Sequence, residues 1–263
     1  MVLAQRGLRH VPALAAAGIS VPVTALAFWI AAFFLLDLSR ASGTAILVFA
    51  LVGLFFPAAL TVLNFLSTER IGPSATVAVS STTPLFAMLG ALVLMREIPD
   101  LRQLGATAAI VAGVTLVSGW SGGAWKWITL PLAAALMRGL AIALTKFGFA
   151  WWPDPFAAAL CAYTVSGSLL FFAGKTERER NAPQSLRALP WFAAVGLMNG
   201  GGVLAMNFAL QSGSVGTVSP IVAGSPLFAL ALSALWLRRE RITPRLIAGV
   251  ALTVGGVALL TLA

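Results

Sequence analysis

Charge is what this sequence has least of: 8 acidic and 17 basic residues among 263, 10% together, where a soluble globular domain carries about 25%. With 59% hydrophobic residues and a mean hydropathy of +0.95, the chain is too apolar for a soluble domain and reads as a polytopic membrane protein. The single cysteine, Cys161, lies in an apolar run without a partner, so neither a disulfide framework nor a cysteine-based zinc site is available. The single histidine, His10, stands near a membrane edge, and the acidic residues fall in loops or at expected helix ends. Metal chemistry needs clustered ligands and hydrolysis needs a nucleophile with its base, so the serine of Gly224-Ser225 has nothing to work with and an enzyme is disfavoured. A Walker A loop is missing, which argues against primary pumping by this chain. The net charge of +9 does not point to nucleic acid, because the basic residues come as short clusters between apolar runs. There they act as topology signals and anionic-lipid contacts.

What the chain does have is apolar length. At about 20 residues per crossing, nine spans are expected near 11–36, 43–66, 73–95, 101–120, 125–146, 153–173, 189–210, 215–237 and 243–263. The first is long enough to tilt or to kink near Pro22, and too long for a signal-peptide core of about 7 to 15 residues, so it is read as retained. Connections are short and charged, as in Asp37 to Arg40, Glu69 to Pro73, Arg96 to Arg102 and Arg238 to Arg245. Gly174 to Arg187 is the longest polar stretch and is expected as a surface loop.

The spans are organised as a repeat. Ser81-Thr82-Thr83-Pro84-Leu85-Phe86-Ala87 returns as Ala223-Gly224-Ser225-Pro226-Leu227-Phe228-Ala229, 142 residues later. Gly53 and Asn64 recur as Gly196 and Asn207, Glu97 as Glu240 and Gly105 as Gly249. The first helix thereby matches the sixth, the second the seventh, the third the eighth and the fourth the ninth. The fifth helix has no counterpart, and its mate is expected to precede Met1. A unit of five crossings inverts its orientation at each repetition, so the fold class expected is an all-α membrane protein of two inverted-topology repeats, 4 + 5 helices, over residues 1–120 and 121–263.

The polar-then-proline helix, the glutamate ending it (Glu97, Glu240) and the glycine-rich closing helix (Gly105 with Gly113, Gly249 with Gly256) resemble the drug/metabolite transporter superfamily, EamA type, over essentially the whole chain. The resemblance implies ten helices in two repeats, so this chain departs from it by lacking the first helix. It also implies an N-terminus of this chain on the outside, whereas the bias of basic residues favours a cytoplasmic one.

Prolines free backbone carbonyls inside a span and hydroxyls satisfy them, which in matching positions of two halves points to a transport site. Ser80, Ser81, Thr83 and Pro84, with Ser219, Pro220, Ser225 and Pro226, are the first candidates for a central cavity; the plainer alternative is that each hydroxyl bonds the carbonyl a turn back. Pro84 and Pro226 are expected to face a shared mid-membrane pocket. Asn64, Asn199 and Asn207 serve either as interhelical bonds or as substrate contacts. Gly200, Gly201 and Gly202 let backbones approach, and Gly105, Ala109 and Gly113 form a small-residue packing stripe. Trp120, Trp125, Trp127, Trp151 and Trp152 read as interfacial anchors. Phe55, Phe56, Phe86 and Phe228 read as lipid or core contacts or cavity wall, and Glu97 and Glu240 as a helix-end staple or a solvated pair. Arg138 falls inside the fifth span, where a central charge costs about 2.5 to 3.5 kcal/mol. It either snorkels or borders the cavity and receives an anionic substrate group.

The function expected is a secondary transporter moving a small organic metabolite, such as an amino acid or drug-like compound, by alternating access at a cavity between the repeats. The alternative is a remnant or a partner-dependent subunit. Expected partners are a small-molecule substrate and membrane lipids in a cell inner (plasma) membrane, with a homo-oligomer left open. Cofactor, metal and nucleic acid are not expected, nor is a carboxylate proton carrier within the spans.

Overall fold

A handful of polar side chains decides where helices start and stop in this apolar chain. The computed structural model describes residues 11–118, 127–175, 182–225 and 244–261, where the regular structure is helical throughout. In order these are α1 (Ala13–Leu35), α2 (Gly43–Phe55), α3 (Ala58–Ser80), α4 (Thr83–Met95), α5 (Leu101–Ser118), α6 (Thr129–Gly148), α7 (Pro155–Ala173), α8 (Ala182–Ser212), α9 (Val215–Ala223) and α10 (Pro244–Thr261). Asp154 caps α7, accepting from the amides of Phe156 and Ala157 at 2.8 and 3.0 Å ahead of Pro155. Asp100 and Gln103 form a reciprocal capping box that opens α5. Six helices among the described residues are long and apolar enough to cross a membrane, and α5 and α10 are shorter apolar helices.

The expected spans differ from these helices at their breaks. The second does not end near residue 66. It is interrupted after Phe55 at the cis Phe56–Pro57 bond and then runs on through Glu69 and Arg70 to Gly72. Gly72, at φ 81° and ψ 165°, holds a conformation open to glycine alone, and this sets the turn into the next span. The Ser67 hydroxyl bonds Thr76 Oγ1 across that turn at 2.8 Å, and Thr76 bonds the Gly72 carbonyl. The polar stretch after Gly174 is helical again from Ala182, while α1 continues through Pro22.

Two compact units result, and each draws on both halves of the sequence. One comprises residues 1–66 with 144–212, the other 67–143 with 213–263. In the first unit α7 packs on α1 and α2, and α8 packs on α1 and α7. In the second α10 packs on α5, and α9 packs on α4, α5 and α10. Spans paired by the sequence repeat are therefore in direct contact: α1 with α7, α5 with α10, and α4 of the third span with α9 of the eighth.

Those contacts are reciprocal down to the atoms. A Cβ on Gly53 would lie 2.8 Å from the Ala162 carbonyl oxygen, and one on Gly196 would strike the carbonyl of Ser20, 142 residues before Ala162. A Cβ on Gly113 would lie 2.6 Å from the Gly249 carbonyl; one on Gly256, 143 residues after Gly113, would lie 2.9 Å from that of Ala106, 143 residues before Gly249. Each repeat thus offers a glycine to the same place on the other, the pattern of a pseudo-two-fold relation.

Candidate functional site

In the second unit the third span is broken within the hydroxyl-proline motif. α3 ends at Ser80 and α4 begins at Thr83, with Pro84 inside its first turn, where a missing N–H costs nothing. Three successive hydroxyls close the break: Ser81 donates to the Ala78 carbonyl, Thr82 to Val79 and Thr83 to Ser80, each at 2.7 Å. Ser219 does the same in α9, donating to the Val215 carbonyl at 2.7 Å. For these side chains the turn-back bond is the one formed. Ser80 is different: its Oγ is buried and has no hydrogen-bond partner among the described residues.

α9 packs against α4, and Ser219 and Pro220 on it are buried. It ends at Gly224, and Ser225 follows, exposed. Pro226, Phe228 and Glu240 lie outside the described residues, as do His10, Trp120 and Trp125. The start of α9 is held by three polar residues. Ser214 caps it, Gln103 Nε2 donates to Ser214 and Thr217, and Glu97 Oε1 accepts the Gly216 amide at 3.2 Å. Glu97 is therefore a helix-end staple. Arg138 stands at the middle of α6, half-buried and engaged by neighbouring groups.

The asparagines belong to the first unit. Asn207, buried, donates to the Pro155 carbonyl at 3.1 Å, and Asn199, exposed, donates to the Tyr163 hydroxyl at 3.4 Å. Both bonds tie α8 to α7. Asn64, on α3, is half-buried and also engaged. Gly200 packs on Thr24, whereas added side chains at Gly201 and Gly202 would meet open space. Trp152 is buried, while Trp151 is exposed and Trp127 lies under the Arg70 guanidinium at 4.7 Å.

Two residues escape a reading of the sequence. Ser166, fully buried on α7, donates to the Gly53 carbonyl and accepts the Ala58 amide at 3.1 Å, satisfying both sides of the Phe56–Pro57 break. Tyr163, the one tyrosine of the chain, is fully buried, its ring centroid 5.1 Å from that of Phe28 in an edge-on arrangement. The sequence holds only a register match for Ser166, Thr24 lying 142 residues before it; that Thr24 contacts Gly196, the repeat mate of Gly53, is visible in the structure alone.

Among solved structures 28 chains match this one. One, a protein crystal structure, superposes with a TM-score of 0.73 at 15% identity, covering 99% of this chain and 91% of its own, a likeness of fold alone. No curated protein matches at comparable significance. The profile of the EamA-like transporter family matches residues 1–119 and matches again over 125–262. With nearly its whole length matched in two successive copies, this multi-pass membrane chain belongs to the EamA-like transporter family.

Proposed function

We propose that the chain is a secondary transporter that moves a small organic metabolite across the plasma membrane by alternating access at a cavity shared by two repeats, residues 1–120 and 121–263. The observation that carries this reading is the span broken at Ser81–Thr82, which leaves a buried, unpartnered Ser80 hydroxyl beside the first turn of α4 and packs on the repeat-related α9. Interrupted helices at matching positions of two repeats are where transporters hold substrate. Ser80, Ser81, Thr83, Pro84, Ser219, Ser225 and Pro226 are the substrate-region candidates in this reading, with Arg138, and Asn64, Asn199 and Asn207 are candidates on their own helices. Membership of a transporter family supports transport rather than catalysis.

The test is flux by the purified chain in proteoliposomes. Vesicles preloaded with an unlabelled metabolite should take up its labelled form by counterflow, and Ser80→Val should depress that uptake without loss of folded protein. Counterflow absent for every amino acid, organic acid and neutral metabolite tried overturns the reading in favour of a partner-dependent subunit.

A further inference from the structure

The second span and its repeat mate differ in shape. The second span is broken between α2 and α3 at Pro57, whereas α8 runs as one helix from Ala182 to Ser212. In the register that pairs Gly53 with Gly196 and Asn64 with Asn207, Phe56-Pro57-Ala58-Ala59 falls on Asn199-Gly200-Gly201-Gly202. The place of the break in one repeat is a run of three glycines in the other. Packing accounts for only one of them. A Cβ on Gly200 would strike Thr24 Cγ2, while Cβ atoms on Gly201 and Gly202 would meet nothing within 4 Å among the described residues. Glycine holds a helix less well than every residue but proline, so α8 is weakest where its neighbours do not ask it to be small.

A bend inside a membrane releases backbone groups that lipid cannot satisfy, and the second span shows how this chain meets that need. Pro57 cannot donate to the carbonyl four residues back, that of Gly53. The Ser166 hydroxyl donates to that carbonyl instead and accepts the Ala58 amide at 3.1 Å. In α8 the corresponding groups are the Gly196 carbonyl and the Gly201 amide, and the residue in the register of Ser166 is Thr24. That register is borne out by contact, since a Cβ on Gly167 would lie 2.9 Å from the Cβ of Ala25, 142 residues earlier.

Thr24 stands where such a bend would need a hydroxyl. A Cβ on Gly196 would lie 2.6 Å from its Oγ1, and its Cγ2 faces Gly200, so the side chain lies along the turn of α8 that joins these two residues. In the straight helix the hydroxyl is turned back, donating to the Ser20 carbonyl at 2.8 Å. On the C-terminal side of the glycines α8 is pinned. Asn207 donates to the Pro155 carbonyl, Gln211 to that of Pro153, and Lys146 Nζ to that of Leu210 at 2.7 Å. A bend at the glycines therefore swings the other arm, Ala182 to Met198.

We propose that α8 is a hinge: it bends at residues 199–201 while the Thr24 hydroxyl leaves the Ser20 carbonyl for that of Gly196. The bend that Pro57 makes fixed in one repeat is reversible in the other. As a step in a transport cycle the hinge rests on the transporter reading above; as a property of α8 it does not.

Amide hydrogen exchange of the purified full chain in detergent, read on peptides of α8, tests this. In the wild type the amides of residues 200–204 should be protected roughly tenfold less than those of 206–210. Gly201→Ala and Gly202→Ala fit the open space and should each raise that protection roughly fivefold. Thr24→Val removes the hydroxyl at constant shape and should raise it roughly tenfold, while Thr24→Ser stays close to wild type. A glycine run that merely frays would ignore Thr24, so protection unchanged in Thr24→Val overturns the hinge. Even protection along α8 in the wild type overturns it without any variant, as does unchanged protection in both alanine variants. Counterflow in proteoliposomes separates the two readings. Exchange that follows Thr24 in a chain without counterflow keeps the hinge and removes the transporter; counterflow undiminished in Gly201→Ala with Gly202→Ala, although exchange has slowed, keeps the transporter and removes the hinge from its cycle.

Discussion

A hydroxyl inside a membrane span is either consumed by the backbone or held in reserve, and Ser166 and Ser80 show the two cases. Ser166 serves a carbonyl and an amide at once, so Ser166→Ala strands two buried backbone groups at about 1–3 kcal/mol each and should lower the unfolding temperature plainly. Ser80→Ala removes an oxygen without a partner, and stability should hold or rise by up to about 1 kcal/mol. Thermal melts of the two variants in one detergent decide it, and equal losses would contradict the assignment. The hydroxyls at 81 and 83 were legible beside Pro84, because proline announces the break they close. The bonds of Ser166 were not, since they reach 108 and 113 residues along the chain and nothing local to α7 calls for a serine there.

Close helix packing here depends on glycines that come in repeat-related pairs. Gly113→Ala and Gly256→Ala each drive a Cβ into backbone atoms of the facing helix, and each should cost about 1–3 kcal/mol. Gly105→Ala and Gly255→Ala meet nothing within 4 Å and should be neutral or stabilising by up to about 1 kcal/mol through helix propensity. Guanidine-free thermal melts of the four variants rank them; a Gly105 variant as damaged as Gly113 would show that the stripe packs along its full length. Sequence spacing put Gly105, Ala109 and Gly113 on one stripe but could not say which member meets a neighbour. Span positions were legible wherever caps mark them, as with Asp154 and Pro155 ahead of α7. They were not at Glu69 and Arg70, whose charges suggested a loop. Arg70 instead stacks on Trp127, and a partner that far along the chain leaves α3 helical to Gly72.

At the level of the whole molecule the repeat told which helices correspond, and the packing shows why neither half stands alone: each compact unit takes helices from both. Among the described residues the arrangement leaves most carboxylates at structural posts. Asp100 and Asp154 cap helices, Glu97 staples the start of α9, and Asp37 is held below the usual carboxyl range by the Ser39 side chain and then by the Ser39 amide that it accepts. Glu69 stands at the end of its span, ahead of Gly72. A proton carrier has to titrate within the span during each cycle, and protonating these groups would loosen helix ends instead. Substrate flux should therefore not be driven uphill by a pH gradient alone. If the substrate is a monoanion, net transport moves charge, and a potassium–valinomycin potential positive inside should raise uptake in proteoliposomes. Protein-free vesicles supply the correction for weak acids crossing lipid in neutral form. Accumulation that follows the pH gradient after that correction, and is indifferent to the potential, would show that one of these carboxylates does carry protons.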